Sequence, residues 1–503
     1  LEDRCKPNIL FPQPPISRLF LAVCAVGIGG AFQYGYNVSI INAPTRQIQQ
    51  FINNTWYSRH QSNLEEGWLT LIWSVIASVF TLGGLLGTHI GGHLADKLGR
   101  KKTLLMNNVL AILAAFLMGI AYPSGCFELL IVGRLIIGIN AGIGLCVQPL
   151  YLGEIAPRHI RGLTTVGMNI FLTGGIFTGQ LVGLRELFGG GDNWYFLLPT
   201  CCIPAIIQLA SLPWFPESPR YLLIENKDEY QCQKVNLLNP TAYGLHKLIY
   251  ISSVPHRSVI LEHVAKFLLI LCGNMATVLK HIYILICYTI QDVIFVLQIY
   301  FYAAYVFTKA GIPANNIPYV TLGTGLCECL TALTCGLLID IAGRRILIIG
   351  GYTLMAFWCT ILTLTLTFQD VYPWIPYLSM SAVFAFILSF GLGPGGVTNT
   401  LTAELFTQSS RSAAFRISGS VGWITFFTIG MIFPFLVNGL NQYCFLFFFV
   451  ECLLTASFIF FIVPETKNKS FLEIKKEFQK RNVGQSYPSP EVKKMEIIKG
   501  HHT

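Results

Sequence analysis

The sequence predicts an all-α integral membrane protein, with twelve transmembrane helices in two pseudo-symmetric six-helix halves. Three observations predict it. Of 503 residues, 53% are hydrophobic and 12% charged, with mean hydropathy +0.57, a composition foreign to soluble globular domains. The apolar residues gather in runs near the ~20 that a helix needs to cross ~30 Å of hydrocarbon. A charged turn, Asp96-Lys97-Leu98-Gly99-Arg100-Lys101-Lys102, returns 244 residues later as Asp340-Ile341-Ala342-Gly343-Arg344-Arg345. A glycine lets the backbone turn sharply, and the arginines keep each copy at the cytoplasmic face between two spans. Two copies imply two halves.

In chain order, residues 1–18 form a cytoplasmic N-terminus and 19–215 a first six-helix bundle. A cytoplasmic linker, 216–263, leads to a second bundle, 264–463, and a cytoplasmic tail, 464–503. Span 1 covers about 19–41 and span 2 about 69–92. The polar loop between them carries the sequon Asn53-Asn54-Thr55, a glycosylation site if the loop faces outside. Spans 3 to 6 follow at about 103–122, 128–152, 163–184 and 193–215. Prolines in Pro216-Glu217-Ser218-Pro219-Arg220 stop the helix as it leaves the membrane. Spans 8 to 12 lie at about 318–339, 346–366, 375–405, 413–437 and 443–463.

The offsets extend the duplication. Glu154 and Glu404 are 250 residues apart, as are Arg161 and Arg411, while Pro216-Glu217 and Pro464-Glu465 are 248 apart. These matches predict a repeated six-span unit. Span 7 is atypical: 264–279 is apolar but short, Lys280-His281 interrupts, and 282–307 is apolar with Asp292 inside it. One crossing here gives twelve spans. Two would give thirteen and would put Arg344, Arg345 and the basic tail outside, so the charges favour twelve.

The net charge of +9 is concentrated in the segments that an internal N-terminus makes cytoplasmic. That bias sets orientation and calls for no nucleic-acid partner. The chain begins at Leu1 without a cleavable signal pattern, which predicts a truncated or processed N-terminus with span 1 as insertion signal. Its 15 cysteines mostly sit in apolar runs, and Cys201-Cys202 and Cys327-x-Cys329 lack metal-ligand spacing. They read as small buried apolar residues, with no metal and no cofactor expected. No nucleophile and base set marks an enzyme.

Polar residues on the spans carry the chemistry, because an amide or carboxyl in hydrocarbon needs a partner or a watery cavity. Span 1 has Gln33, Tyr34 and Asn37, span 4 Asn140 and Gln148, span 5 Asn169 and Gln180, and span 10 Asn399. Amides donate and accept at once, as sugar hydroxyls do; the alternative for each is an interhelical hydrogen bond. Glycines such as Gly29, Gly30 and Gly175 read as close helix packing. Gly391-Leu392-Gly393-Pro394-Gly395-Gly396 predicts a broken span 10. Trp423, mid-span 11, could stack on a sugar ring or pack in the core. Of the ionisable span residues Arg134, Asp292, Glu328, Arg416 and Glu451, the two arginines are expected to snorkel from helix ends.

Taken together, Gly-Arg-Lys-Lys at 99–102, Gly-Arg-Arg at 343–345, Pro149-Leu150-Tyr151-Leu152-Gly153-Glu154, Pro216-Glu217-Ser218-Pro219-Arg220 and Pro464-Glu465-Thr466-Lys467 resemble the sugar porters of the major facilitator superfamily. More narrowly, the chain resembles the facilitative hexose transporters of solute carrier family 2, in their fructose-associated class. The resemblance covers about 16–233 and 299–482; residues 234–298 depart from it.

The resemblance implies a major facilitator fold and a substrate site of Tyr34, Gln180, Gln291, Asn399 and Trp423. Gln291 comes from the departing segment, which keeps one glutamine of the family's Gln-Gln-x-Ser-Gly-x-Asn and loses its second glutamine and its asparagine. Asn37 stands where proton-coupled sugar porters have an aspartate, and an amide cannot release a proton, so uniport is expected. Arg100, Glu154, Arg161, Glu217, Arg220, Arg344, Arg345, Glu404 and Arg411 match cytoplasmic gating charges that pair across the halves when the pore is closed inside.

The expected function is therefore facilitative transport of hexoses, fructose and/or glucose. The alternatives are a non-transporting sugar sensor or inactive paralogue, because of span 7, and a proton-coupled symporter acting through Glu328 or Asp292. The expected partners are hexose and membrane lipid, with no obligate protein partner. The expected location is the plasma membrane, with both termini cytoplasmic.

Overall fold

A computed structural model describes residues 16–156, 161–190, 193–224, 307–308, 311–313, 315–369, 371–405 and 411–467, with 226, 228, 469, 473–474 and 477. For 16–18, 161–166, 223–224, 340, 399–400, 402–404, 411–416, 434 and 437–438 it describes backbone alone. Hydrocarbon offers backbone N–H and C=O groups no partner, so the apolar runs become helices, which satisfy their own.

The first half holds α1 (Ile16–Gly27), a π-helical turn (Ile28–Phe32), α2 (Gln33–Ser39), α3 (Thr45–His60), α4 (Glu66–Leu98), α5 (Arg100–Ala121), α6 (Glu128–Ile155) and α7 (Arg161–Val182). It continues through α8 (Trp194–Leu197), α9 (Cys202–Ser211) and α10 (Pro219–Ile224). The second half holds α11 (Ile317–Ala342), α12 (Arg344–Thr367), α13 (Ile375–Leu392), α14 (Pro394–Leu405), α15 (Arg411–Leu440) and α16 (Cys444–Ile462).

Among the described residues, 9 helical stretches are long and apolar enough to cross a membrane. With α7 and α15 they account for predicted spans 1–6 and 8–12. Span 7 lies outside the described residues, and the count of twelve with it. Span 10 breaks where the glycines predicted: α13 ends at Leu392 and α14 starts at Pro394, because Pro394 has no N–H to give the preceding turn. A Cβ at Gly393 would lie 2.6 Å from the Leu347 carbonyl oxygen, so the break lets α13 and α14 press against α12.

One element departs from the sequence reading. The loop after span 1 is largely helix: α3 buries Ile48, Phe51, Ile52 and Thr55, the i, i+3, i+4, i+7 stripe of an amphipathic helix. Phe51 packs on Tyr122 and Trp194, with ring centroids 5.4 and 5.9 Å away. This lays α3 over the ends of spans 3 and 6 remote from the Gly99 turn. Asn53 sits half-buried on α3.

The duplicated charged turns fold alike. Gly99 has φ 95° and ψ 162°, and Gly343 φ 91° and ψ 158°, a region that glycine alone enters without strain. Each glycine ends one span and starts the next. The new helix exposes unpaired N–H groups, and the returning chain brings a carboxylate to them. Glu217 accepts the Lys101 N–H at 2.9 Å, and Glu465 accepts those of Arg344 and Arg345 at 3.0 Å each. Arg100 and Arg344 each donate five residues back, to the Ala95 and Ile339 carbonyls, both at 3.2 Å.

A Cβ at Gly99 would approach the Glu217 carboxylate to 2.6 Å in a backbone conformation closed to alanine. Gly99→Ala is therefore expected to destabilise the protein by about 1–3 kcal/mol. It should lower the thermal-unfolding midpoint in detergent, and an unchanged midpoint would refute this account of the turn.

Candidate functional site

Most polar side chains on the spans are bonded within the bundle. Asn107 and Asn140 exchange amide-to-carbonyl hydrogen bonds of 2.9 and 2.8 Å, tying α5 to α6. Gln33 donates to the Cys201 carbonyl at 2.7 Å and Asn37 to the Gln33 carbonyl at 2.8 Å. Gln148 accepts the Ala31 N–H at 2.8 Å. The Asn37 bond stays within α2, and the other amides take the interhelical role that packed bundles give them.

Arg134 corrects the snorkelling expectation. It is 1% exposed, donates to the Asn37 carbonyl at 2.9 Å, and holds its guanidinium 4.6 Å from the Phe80 ring centroid. A cation over an aromatic face is stabilised by the ring's electron density. The reach to water that the sequence allowed is replaced by this inward contact.

Gln180 is different. It is 7% exposed on α7, yet its amide oxygen and nitrogen are both buried without a hydrogen-bond partner among the described residues. It faces the other half: a Cβ at Gly325 on α11 would lie 2.2 Å from the Gln180 amide oxygen. An orphaned buried amide is costly, about 1–3 kcal/mol for each unmet group. It is the kind of exception that a bound polar ligand explains.

A second cross-half contact lies at Trp423. Its indole N–H donates to the Thr88 hydroxyl at 2.8 Å, and its ring stands edge-on to Tyr34 at 5.6 Å. Tyr34 stacks on Phe80 at 6.1 Å, so spans 1, 2 and 11 share one aromatic cluster. Glu328, buried on α11, lies within electrostatic reach of the Tyr34 hydroxyl. Of the predicted substrate residues, the structure thus places Tyr34 and Trp423 together and Gln180 at the interface of the halves. Gln291 lies outside the described residues, as does the Asn399 side chain. Among the described residues no cluster of His, Cys, Asp or Glu fits a metal, and the described cysteines are free thiols.

The charges expected at the cytoplasmic face form compact sets. Arg100 and Glu154, side chains each 7% exposed, meet at 3.0 Å. The Ser218 hydroxyl bonds Glu154, and Arg220 approaches it to 4.0 Å. The resemblance implies that such charges pair across the halves when the pore is closed inside; here the Arg100–Glu154 pair is buried and lies within one half. Removing one partner of a buried pair leaves a desolvated charge. Glu217 and Glu465 serve helix ends in their own halves. The side chains of Arg161, Glu404 and Arg411 lie outside the described residues.

At the opposite end of the bundle the halves do touch. Arg185 donates to the Asn315 amide oxygen at 3.0 Å, and Tyr319 donates to Glu186 at 2.5 Å. That hydroxyl, with a backbone N–H, holds the Glu186 carboxyl below its ordinary range.

Comparison with known proteins bears on the family and the fold. The profile of the Sugar (and other) transporter family matches residues 22–478, running through residues 234–298. Over 501 residues the chain is 42% identical to human solute carrier family 2, facilitated glucose transporter member 11, covering 95% of this chain and 97% of that protein. It is 44% identical to member 9 of Pongo abelii over 475 residues, covering 94% and 83%. Human member 5 is 40% identical over 476 residues, covering 94% of each.

Among solved structures, the proton:xylose symporter XylE bound to 6-bromo-6-deoxy-D-glucose superposes with a TM-score of 0.73 at 21% identity, covering 92% of this chain and 99% of that one. The inward open conformation of the xylose transporter XylE from E. coli gives 0.71 at 20% identity, covering 91% and 99%. At that identity the likeness shows the major facilitator fold alone. By the family profile and by its 40–44% identity to members 11, 9 and 5, this chain belongs to the sugar transporter family, within solute carrier family 2.

Proposed function

We propose that this protein carries hexoses, fructose and/or glucose, across a membrane as a uniporter, by alternating access between its two halves. The observation that carries the reading is the buried, unpartnered amide of Gln180 facing the opposite half. A hexose hydroxyl can donate to its oxygen and accept from its nitrogen at once. Tyr34 and Trp423 supply ring faces for the apolar side of the sugar. Gln291 and Asn399 complete the proposed site by family resemblance.

Uniport is supported by Asn37, whose amide holds the Gln33 carbonyl and has no proton to release. The names of the relatives, facilitated glucose transporters, agree. A proton-coupled reading has one observation in its favour, the buried Glu328 near Tyr34. We assign the cytoplasmic charges to gating, the plasma membrane as location with cytoplasmic termini, and Asn53 as the glycan acceptor.

The contacts support reading this conformation as shut outside. Arg185–Asn315 and Glu186–Tyr319 join the halves there, whereas the described cytoplasmic ion pairs stay within one half.

Radiolabelled fructose and glucose uptake by the full chain in proteoliposomes tests the function; uptake indifferent to excess unlabelled hexose would overturn it. Gln180→Ala is expected to cut uptake about tenfold, the cost of one lost buried hydrogen bond, with the amount of folded carrier unchanged. Wild-type uptake in that variant would remove Gln180 from the site. Adding hexose to unbuffered vesicles is expected to leave their pH steady; alkalinisation of the medium would favour symport through Glu328.

The outer contacts are exposed, so each contributes little. Glu186→Gln or Tyr319→Phe should raise the affinity for external over internal hexose by a few-fold at most. Because Glu186 is depressed in the closed arrangement, the lock is present above the ordinary carboxylate range and is lost as pH falls through the depressed value. Acid should therefore mimic these substitutions, and a ratio of external to internal affinity unchanged from the wild type would refute the lock.

A further inference from the structure

Span 1 does not run through as one α-helix. The π-helical turn Ile28–Phe32 lies between α1 and α2, a wide turn with one residue more than an α-helical turn holds. Such a turn frees backbone groups, and in hydrocarbon each must be met again. Two glutamines meet them. Gln148 on α6 accepts the Ala31 N–H at 2.8 Å, and Gln208 on α9 donates to the Ala25 and Val26 carbonyls at 3.2 Å each. Asn108 on α5 orients Gln208 by donating to its amide oxygen at 2.9 Å.

Gln148 and Gln208 are 0% exposed and Asn108 1%. The glycine pair makes room for them. A Cβ at Gly29 would lie 2.2 Å from the Gln208 side-chain carbonyl carbon, and one at Gly30 2.2 Å from the Gln148 amide oxygen. Side chains of three helices and a Gly-Gly pair thus converge on one backbone turn.

The position of that turn matters for the site. An extra residue rotates everything after it by about 100° around the helix axis, and Gln33, Tyr34 and Asn37 follow at once. A straight helix would carry Tyr34 off the Phe80 and Trp423 rings and the Asn37 carbonyl off Arg134.

We propose that Gln148 and Gln208 are positioning residues for transport: they hold the π-turn of span 1, and the turn aims Tyr34 at Trp423. This rests on the reading of Tyr34 as part of the hexose site. Side chains that only cement the bundle would change stability without changing how well sugar binds.

The test uses the full chain in proteoliposomes with D-fructose and D-glucose, together with hydrogen–deuterium exchange of residues 28–34 without sugar. Gln148→Leu removes the acceptor, whereas Gln148→Glu keeps one on its neutral carboxyl. Gln148→Leu is expected to raise KM about tenfold, the effect of orphaning one buried N–H, with little change in turnover per folded carrier. It should also speed exchange at 28–34, and Gln148→Glu should restore both.

Faster exchange with unchanged KM would overturn the proposal, as would unchanged exchange in Gln148→Leu. Should Gln148→Leu fail to fold, Gln148→Asn, whose acceptor falls one methylene short, carries the same comparison. Absence of flux in the wild type would sink the hexose reading alone, and the exchange comparison would still decide whether Gln148 holds the turn.

Discussion

Everything in this protein depends on one constraint: hydrocarbon supplies no hydrogen-bond partner, so a polar group placed there must be met by another part of the chain or by what the chain carries. Asn107 meets Asn140, Gln33 meets the Cys201 carbonyl, and Arg134 meets the Asn37 carbonyl and the Phe80 ring. Such pairs are modest net contributors to stability, about 1 kcal/mol each. Their absence costs more, and so they are made. Against that background the Gln180 amide has both atoms enclosed and unmet, as has Asn42 at the end of span 1, and Gln180 alone of the two faces Gly325 of the other half. In the proposed reading, this amide, open at the seam between the halves, is met by the ligand.

The duplicated corners explain how the halves hold together. Glycines of one unusual conformation reverse the chain at Gly99 and Gly343, and Glu217 and Glu465 return from distant sequence to cap the helices that follow. Each cap ties a late segment of a half to an early one, and the buried Arg100–Glu154 pair adds another such tie. These bonds stiffen a half internally. Among the described residues the contacts between halves are of another kind: Trp423–Thr88 and Ser420–His89 hydrogen bonds, glycine-lined helix faces and exposed polar pairs at the end opposite the charged turns. Stiff bodies with a loosely bonded seam move as units, the mechanical condition for rocking.

Much of this was legible in the sequence. The spans show in hydropathy because every lipid-facing run must be apolar, and the duplication shows because charged turns cannot drift into hydrocarbon. What was missed was missed for physical reasons. The stripe of α3 is diluted by the polar residues of a helix that has one wet face. Gly29-Gly30 reads the same whether glycines admit a neighbouring helix or, as here, two glutamine side chains. Arg134 near a helix end has the same sequence whether it snorkels or turns inward; only the place of Phe80 and the Asn37 carbonyl decides. Spacing alone also leaves Asn140 and Gln180 as equals, and the difference lies in Asn107, which meets one and not the other.

In the proposed reading, the placement of the site at the seam is itself the mechanism. A ligand shifts a conformational equilibrium only by the difference between its affinities for the two states. A sugar held by one half alone would bind equally well whichever way the halves leaned, and its binding would drive nothing. Tyr34 and Gln180 belong to the first half, Trp423 and Gly325 to the second. A hexose that satisfies Gln180 while lying against both aromatic rings makes all its contacts only when the halves close around it. That closed state, favoured by the sugar, is the step through which either side can be reached.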